Sequence, residues 1–134
     1  MSPLSQICDG SIRSDDGLLD LKLALPKTLG GKGDVTNPEQ LFAGGYVACF
    51  ENALFHVSPE SRGHFADGDI EVVAQIGISR NDAGGFVLSA ALAVTIAGVD
   101  QKTAGQLVES AHAICPYSNA IKGNVDVQID VSVR

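Results

Sequence analysis

The sequence lacks any apolar run of the ~18–20 residues that a membrane span requires, so no membrane partner is expected. Met1 to Gly10 lacks a basic start followed by an apolar stretch. That reads as no secretory signal, and a cytoplasmic location is the expectation. Basic residues are few: nine Lys and Arg lie scattered along a chain of net charge −7. A phosphate-tracking surface needs them clustered, so nucleic acid is not expected as a partner. Cysteines number three, with no CxxC pair and no Cys/His cluster at zinc spacing. This argues against a structural disulfide framework and a zinc site, and no metal or other cofactor is expected. His56, His64 and His112 stand apart from one another and read as surface or satisfied histidines. No internal repeat, low-complexity segment or domain boundary breaks the chain.

What is present suits one globular body. Hydrophobic residues make up 45% of 134 and charged residues 19%, too apolar for disorder and long enough for one core, so a single domain over residues 1–134 is expected. Leu18 to Leu25 alternates Leu19, Leu21, Leu23 and Leu25 against Asp20, Lys22 and Ala24, the pattern of a half-buried strand. Asp16-Gly17 marks a turn before it, with Ser11 to Ser14 as the other arm of a hairpin. The glycines at 30, 31 and 33 form a loop.

Asn37 is a suitable helix N-cap, Pro38 suits the first helical position, and Glu39 sits where negative charge is favoured. From Gln40 to Val57 apolar residues cover nearly every face up to Phe50, which predicts a buried helix. Gly44 and Gly45 inside it cost about 1 kcal/mol each relative to Ala, so they imply a kink or a close approach by another backbone. Ile70 to Ser79 and Phe86 to Ile96 read as a long hairpin across Asn81 to Gly85. Asp100 can cap a helix from Gln101 to about Ile114, Cys115-Pro116 restarts the chain as a short helix, and Val125 to Val133 alternates as a closing strand. The order predicts an α+β fold with antiparallel sheets. A monomer of this size would struggle to cover the central helix, so an extensive dimer is expected, two sheets sandwiching the helices.

Cys49, among Tyr46, Val47, Ala48 and Phe50, reads alone as a small core hydrophobe. Cys115 directly precedes Pro116. At the N-cap of the following helix, free N–H groups and the helix dipole would favour its thiolate; a structural cysteine at a helix junction is the other reading.

Taken together, the surroundings of the two cysteines carry more. Thr36-Asn37-Pro38-Glu39-Gln40-Leu41-Phe42, Gly45-Tyr46 and Ala48-Cys49-Phe50, followed by Cys115-Pro116-Tyr117-Ser118-Asn119-Ala120, resemble the two signatures of the organic hydroperoxide resistance (Ohr) proteins of the Ohr/OsmC family. Ser14 to Asp20 and Leu29-Gly30-Gly31 also match, and the resemblance extends from about Asp9 onward. It implies an OsmC/Ohr-like fold, antiparallel sheets around long central helices in an intertwined homodimer. It also implies a thiol-dependent peroxidase. Cys49 would attack an organic hydroperoxide and become a sulfenic acid, and Cys115 would resolve it as a disulfide. A lipoylated protein or other dithiol would then reduce that disulfide.

Glu39 matches the family's catalytic glutamate; its plainer reading is a first-turn helix acid. Ten residues separate Glu39 from Cys49, ~15 Å along a straight helix. Either the helix breaks at Gly44-Gly45 or Glu39 serves the partner subunit's cysteine, and the second agrees with the family's dimer. Phe42, Tyr46 and Phe50 are the candidate substrate pocket, apolar enough to favour alkyl peroxides.

One position departs from the family. The arginine that holds the thiolate lies there in a Gly-Gly-Arg-x-Gly stretch, and alignment on Gly10 and Asp16-Gly17 puts Cys8 in its place. Without a cation, burial would raise the Cys49 thiol pKa. Arg13 is close in sequence but reads as an exposed hairpin charge. Lys27, Lys32 and Lys122 read as solvated charges. The alternative function is a non-catalytic thiol redox sensor or small-molecule binding protein on the same fold.

Overall fold

A computed structural model describes residues 4–7, 10–58 and 65–134, the first four as backbone. Cys8 and His64 lie outside the described residues. By its internal contacts the chain forms two compact units, Met1–Leu41 and Phe42–Arg134.

The first unit is a three-stranded antiparallel sheet of β1 (Leu4–Ile7), β2 (Ser11–Ser14) and β3 (Asp20–Lys22), in that order. The Asp16-Gly17 turn forms as expected: Asp16 Oδ1 accepts from Ser14 Oγ at 2.6 Å and from the Leu18 backbone N–H at 2.9 Å. The strand expected over Leu18 to Leu25 pairs over only three residues, because β2 is short; Leu23 bridges separately to Thr36. Leu18 stays in the turn and is 89% exposed. A 3-10 turn at Lys27–Leu29 leads into the glycine loop. Gly31 is obligatory there, because a Cβ would lie 1.7 Å from the Leu25 carbonyl oxygen. None of the described residues from 10 to 41 is fully buried.

The second unit holds the core. Helix α1 (Pro38–Val57) enters it, capped by Asn37, whose Oδ1 accepts from the Gln40 N–H at 2.9 Å. Strands β4 (Ile70–Arg80) and β5 (Phe86–Ile96) form the expected long hairpin, and β6 (Val127–Val133) adds to the free edge of β5. Between β5 and β6 run α2 (Gln101–Ile114), capped by Asp100 on the Thr103 N–H, and α3 (Pro116–Ile121). The register aligns Val72, Val94 and Val131, and likewise Ala74, Leu92 and Ile129, on one sheet face. That face meets Tyr46, Phe50, Ala53 and Leu54 of α1 and Ala104, Leu107, Val108 and Ala111 of α2. Burying a side chain of this size contributes about 1.5–3 kcal/mol.

The fold is α+β as expected, with two differences in detail. The β5–β6 pair is parallel, whereas the other described strand pairs are antiparallel. The two-helix crossover returns the chain to the starting end of the sheet, so β6 must run alongside β5 in the same direction. Also, α1 is not buried all round within one chain: Tyr46, Phe50, Ala53 and Leu54 are buried, while Phe55 is 46% exposed and Cys49 is half-buried.

Candidate functional site

The site lies within the second unit, where α1 passes the junction of α2 and α3. Pro116 sets that junction. It cannot donate an N–H into the end of α2, and its fixed φ starts α3. Cys115 is the C-cap of one helix and the N-cap of the other: its N–H donates to the Ala111 carbonyl at 2.8 Å, and its own carbonyl accepts from the Asn119 N–H at 3.0 Å. The side chain is fully buried. It points at Cys49, with the two sulfurs 3.7 Å apart and Cys115 Sγ donating. Both cysteines are free thiols.

The sequence left Cys115 two readings, a thiolate favoured by the helix N–H groups or a structural cysteine at a helix junction. The structure sends one of those N–H groups elsewhere. Cys115 makes no side-chain cap bond, whereas the Tyr117 backbone N–H, in the first turn of α3, bonds to Cys49. Burial pushes the Cys49 thiol above its ordinary value. The Tyr117 N–H opposes that rise, and the Cys115 sulfur adds to it, because two adjacent sulfurs compete to carry one negative charge. The expected cost of burial is therefore present, with a backbone donor partly offsetting it.

A second link runs parallel to the first. Tyr46 stands three residues before Cys49 on α1, and Ser118 three residues after Cys115. Tyr46 Oη and Ser118 Oγ are 2.8 Å apart, both groups buried. His112 Nδ1 reaches the same Ser118 oxygen at 2.8 Å. His112 is thus a satisfied histidine, as expected, but its partner was not legible: a spacing of six across a proline break matches no helical period.

An aromatic cluster shares the core with the pair. Phe42 meets Tyr46 edge-on at 6.1 Å and Tyr117 at 6.1 Å, the Tyr46 and Tyr117 rings stack at 6.0 Å, and Tyr46 meets Phe50 at 6.4 Å. Of the three candidate pocket residues, Tyr46 and Phe50 are fully buried and Phe42 keeps some exposed surface. Gly45 is explained here. The α1 helix runs unbroken from Pro38 to Val57, and the close neighbour is a side chain rather than a backbone: a Cβ on Gly45 would lie 2.6 Å from the Tyr117 hydroxyl oxygen.

Glu39 and Arg13 belong to the first unit. Glu39 Oε2 is buried without a hydrogen-bond partner among the described residues. Arg13 is exposed, with Nε 3.9 Å from Asp20 Oδ2 across the β2–β3 ladder, as a hairpin charge would be. Lys27, Lys32 and Lys122 are exposed. Among the described residues no helix is long and apolar enough to cross a membrane.

This arrangement, two thiols in contact at a helix junction on an α+β frame, defines a class that comparison with known proteins identifies. The family model described as OsmC-like protein matches residues 31–130, and the chain belongs to the Ohr/OsmC family. More particularly, it is 44% identical over 127 residues to organic hydroperoxide resistance protein-like 2 of Staphylococcus saprophyticus, covering 94% of this chain and 89% of that protein. It is 42% identical to organic hydroperoxide resistance protein OhrB of Bacillus subtilis, covering 91% and 88%. The crystal structure of an organic hydroperoxide resistance protein from Legionella pneumophila superposes with a TM-score of 0.88 at 44% identity, covering 99% of this chain and 96% of that one.

Proposed function

We propose that this protein is a thiol-dependent peroxidase that reduces organic hydroperoxides to alcohols. The observation that carries this reading is the 3.7 Å approach of Cys49 and Cys115. Cys49 attacks as the thiolate: an S–O bond forms, the O–O bond breaks, and the departing alkoxide takes a proton and leaves as alcohol. Cys115 then condenses with the sulfenic acid: the S–S bond forms, the S–O bond breaks, and the hydroxyl leaves with the Cys115 thiol proton as water. A disulfide needs the sulfurs at ~2.0 Å, so they close from 3.7 Å as the bond forms. A dithiol of lipoyl type, carried on a protein, restores both thiols by exchange.

Phe42, Tyr46 and Phe50 supply the apolar wall for the alkyl group, and the names of the relatives support the organic class of peroxide. A homodimer fits the apolar surface that α1 leaves uncovered, Phe55 included. It also gives Glu39 a role, because an unbroken α1 keeps Glu39 ~15 Å from the Cys49 of its own chain. Glu39 then serves the Cys49 of the partner subunit. Its buried Oε2 lacks a partner among the described residues, as a group awaiting a second subunit would. A cytoplasmic location, where thiols are kept reduced, suits the cycle.

The test is turnover with a dithiol reductant, comparing tert-butyl hydroperoxide with hydrogen peroxide. A strong preference for the alkyl peroxide supports the reading, and equal rates overturn the pocket assignment. Mixing a Glu39→Ala protein with a Cys49→Ser protein tests the shared site: mixed dimers that recover no activity count against it. The raised thiol pKa of Cys49 favours a second reading, a non-catalytic thiol redox sensor or small-molecule binding protein. Slow oxidation with no dithiol-driven turnover would select it.

A further inference from the structure

The Ser118 hydroxyl has one hydrogen and two close partners, Tyr46 Oη and His112 Nδ1, each at 2.8 Å. That shortage of hydrogens makes the triad directional. When His112 carries a hydrogen on Nδ1, as the imidazolium must, it donates to Ser118. Ser118 then gives its own hydrogen to Tyr46 Oη, and the Tyr46 hydrogen is left to turn elsewhere. When Nδ1 is bare, Ser118 must donate to His112. Its oxygen then accepts from Tyr46, and the Tyr46 hydrogen is held at Ser118.

Tyr46, at the far end of this chain, shares one buried cluster with Cys115, and Cys49 packs against that cluster. Tyr46 and Cys49 are three apart on α1 and so neighbours on one face. The stacked Tyr117 ring ties Tyr46 to the residue whose N–H bonds to Cys49. Burial foremost, and then negative charge on Cys115 or Cys49, disfavours ionisation of the Tyr46 hydroxyl, against the Ser118 hydrogen bond that favours it. The other end is open: His112 is half-buried and lines a cavity of about 400 Å³. Glu109 of α2, Lys122 after α3 and Asp126 before β6 face it there, and the Phe50 ring of α1 packs on it at 6.4 Å.

We propose that His112 is a positioning residue for Cys49: through Ser118 it sets whether the Tyr46 hydroxyl hydrogen is held at Ser118 or released toward the paired sulfurs. Released, it stabilises the Cys49 thiolate, and later the alkoxide leaving the peroxide. The link is made whenever His112 Nδ1 carries a hydrogen, and always when the imidazole is protonated. It deepens the peroxidase reading but also acts on a reaction independent of it, alkylation of Cys49.

The experiment is the pH profile of iodoacetamide alkylation at Cys49, located by peptide mass, with the cumene hydroperoxide reaction followed in parallel. Without the triad, log rate falls one unit per pH unit. The wild-type profile is expected to show a shoulder that holds the rate about fivefold above that line, the size of one hydrogen bond. Glu109, Lys122 and Asp126 line the same cavity, so the presence of the shoulder, not its position, is the readout. His112→Asn, which keeps a polar group but does not titrate, should erase the shoulder, and so should Tyr46→Phe. The double variant should behave as Tyr46→Phe alone. A straight wild-type profile, a shoulder that persists in either single variant, or effects that multiply in the double variant would overturn the proposal. So would a change confined to melting temperature. A shoulder in alkylation without any peroxide reaction would uphold the triad while removing the peroxidase reading.

Discussion

Cys49 and Cys115 touch, yet their surroundings differ in almost every respect. Cys49 sits inside a 20-residue helix, half-buried, and receives a backbone N–H from another helix. Cys115 sits between two helices, fully buried, without a cap bond of its own, and gives its hydrogen to Cys49. Of the two, Cys49 has the backbone donor that opposes the rise burial causes in its thiol pKa, while Cys115 is shut away from solvent. Position in the chain suggested otherwise, since the proline after Cys115 marks a helix start. A helix N-terminus serves whatever its N–H groups point at, and here the Tyr117 N–H points across to α1.

The largest expected effect comes from removing that asymmetry outright. Cys49→Ser should reduce peroxide-driven thiol loss more than ~1000-fold, because the sulfur proposed to attack is gone. Cys115→Ser should leave the first oxidation fast but end it in sulfinic acid at Cys49, which mass measurement reads directly. Fast, complete oxidation of Cys115 in the Cys49→Ser protein would reverse the roles.

Next in size is pH. Because the folded chain holds the Cys49 proton more tightly than free cysteine does, the rate of attack should keep rising with pH beyond the ordinary value of 9.0. The stability consequence has a fixed sign. The protonated thiol is favoured by the fold, so its contribution is present below the unfolded value and is lost as pH rises through the folded one. Denaturant midpoints on either side of pH 9 should fall for wild type, and fall less for Cys49→Ser.

Ser118→Ala should cost about 1–3 kcal/mol, the penalty for a buried Tyr46 hydroxyl left without its partner, measured by urea unfolding. Gly45→Ala is the smallest. The alanine gains about 1 kcal/mol of helix propensity but must push the Tyr117 ring outward, which its 38% exposure permits. Stability should change by less than ~1 kcal/mol, while Cys49 oxidation slows several-fold because the ring no longer steadies the Tyr117 backbone.

Local chemistry was the legible part of this chain. Asn37-Pro38-Glu39 and Asp100 are cap signals, and both helices begin where they stand; the alternation of β4 and β5 shows in side chains that face the core. Periodicity says which face a strand buries and nothing about its neighbour's direction, so the parallel β5–β6 pairing was invisible. β1 is four residues long, too short for an alternation to register. The all-round apolarity of α1 was read correctly as residue content, but one chain buries only its Tyr46, Phe50, Ala53 and Leu54 stripe. In the site, the cysteine pair followed from two motifs, whereas the donor at Cys49 and the His112–Ser118–Tyr46 chain are products of how α3 docks on α1. No spacing within either helix encodes that docking.

The most direct test of the central claim is a titration of the fully reduced protein with one equivalent of cumene hydroperoxide, followed by thiol counting and peptide mapping. The account predicts rapid loss of two thiols per peroxide and a single Cys49–Cys115 disulfide, with Cys8 still reduced. Slow loss, a disulfide that includes Cys8, or oxidation starting at Cys115 would contradict it.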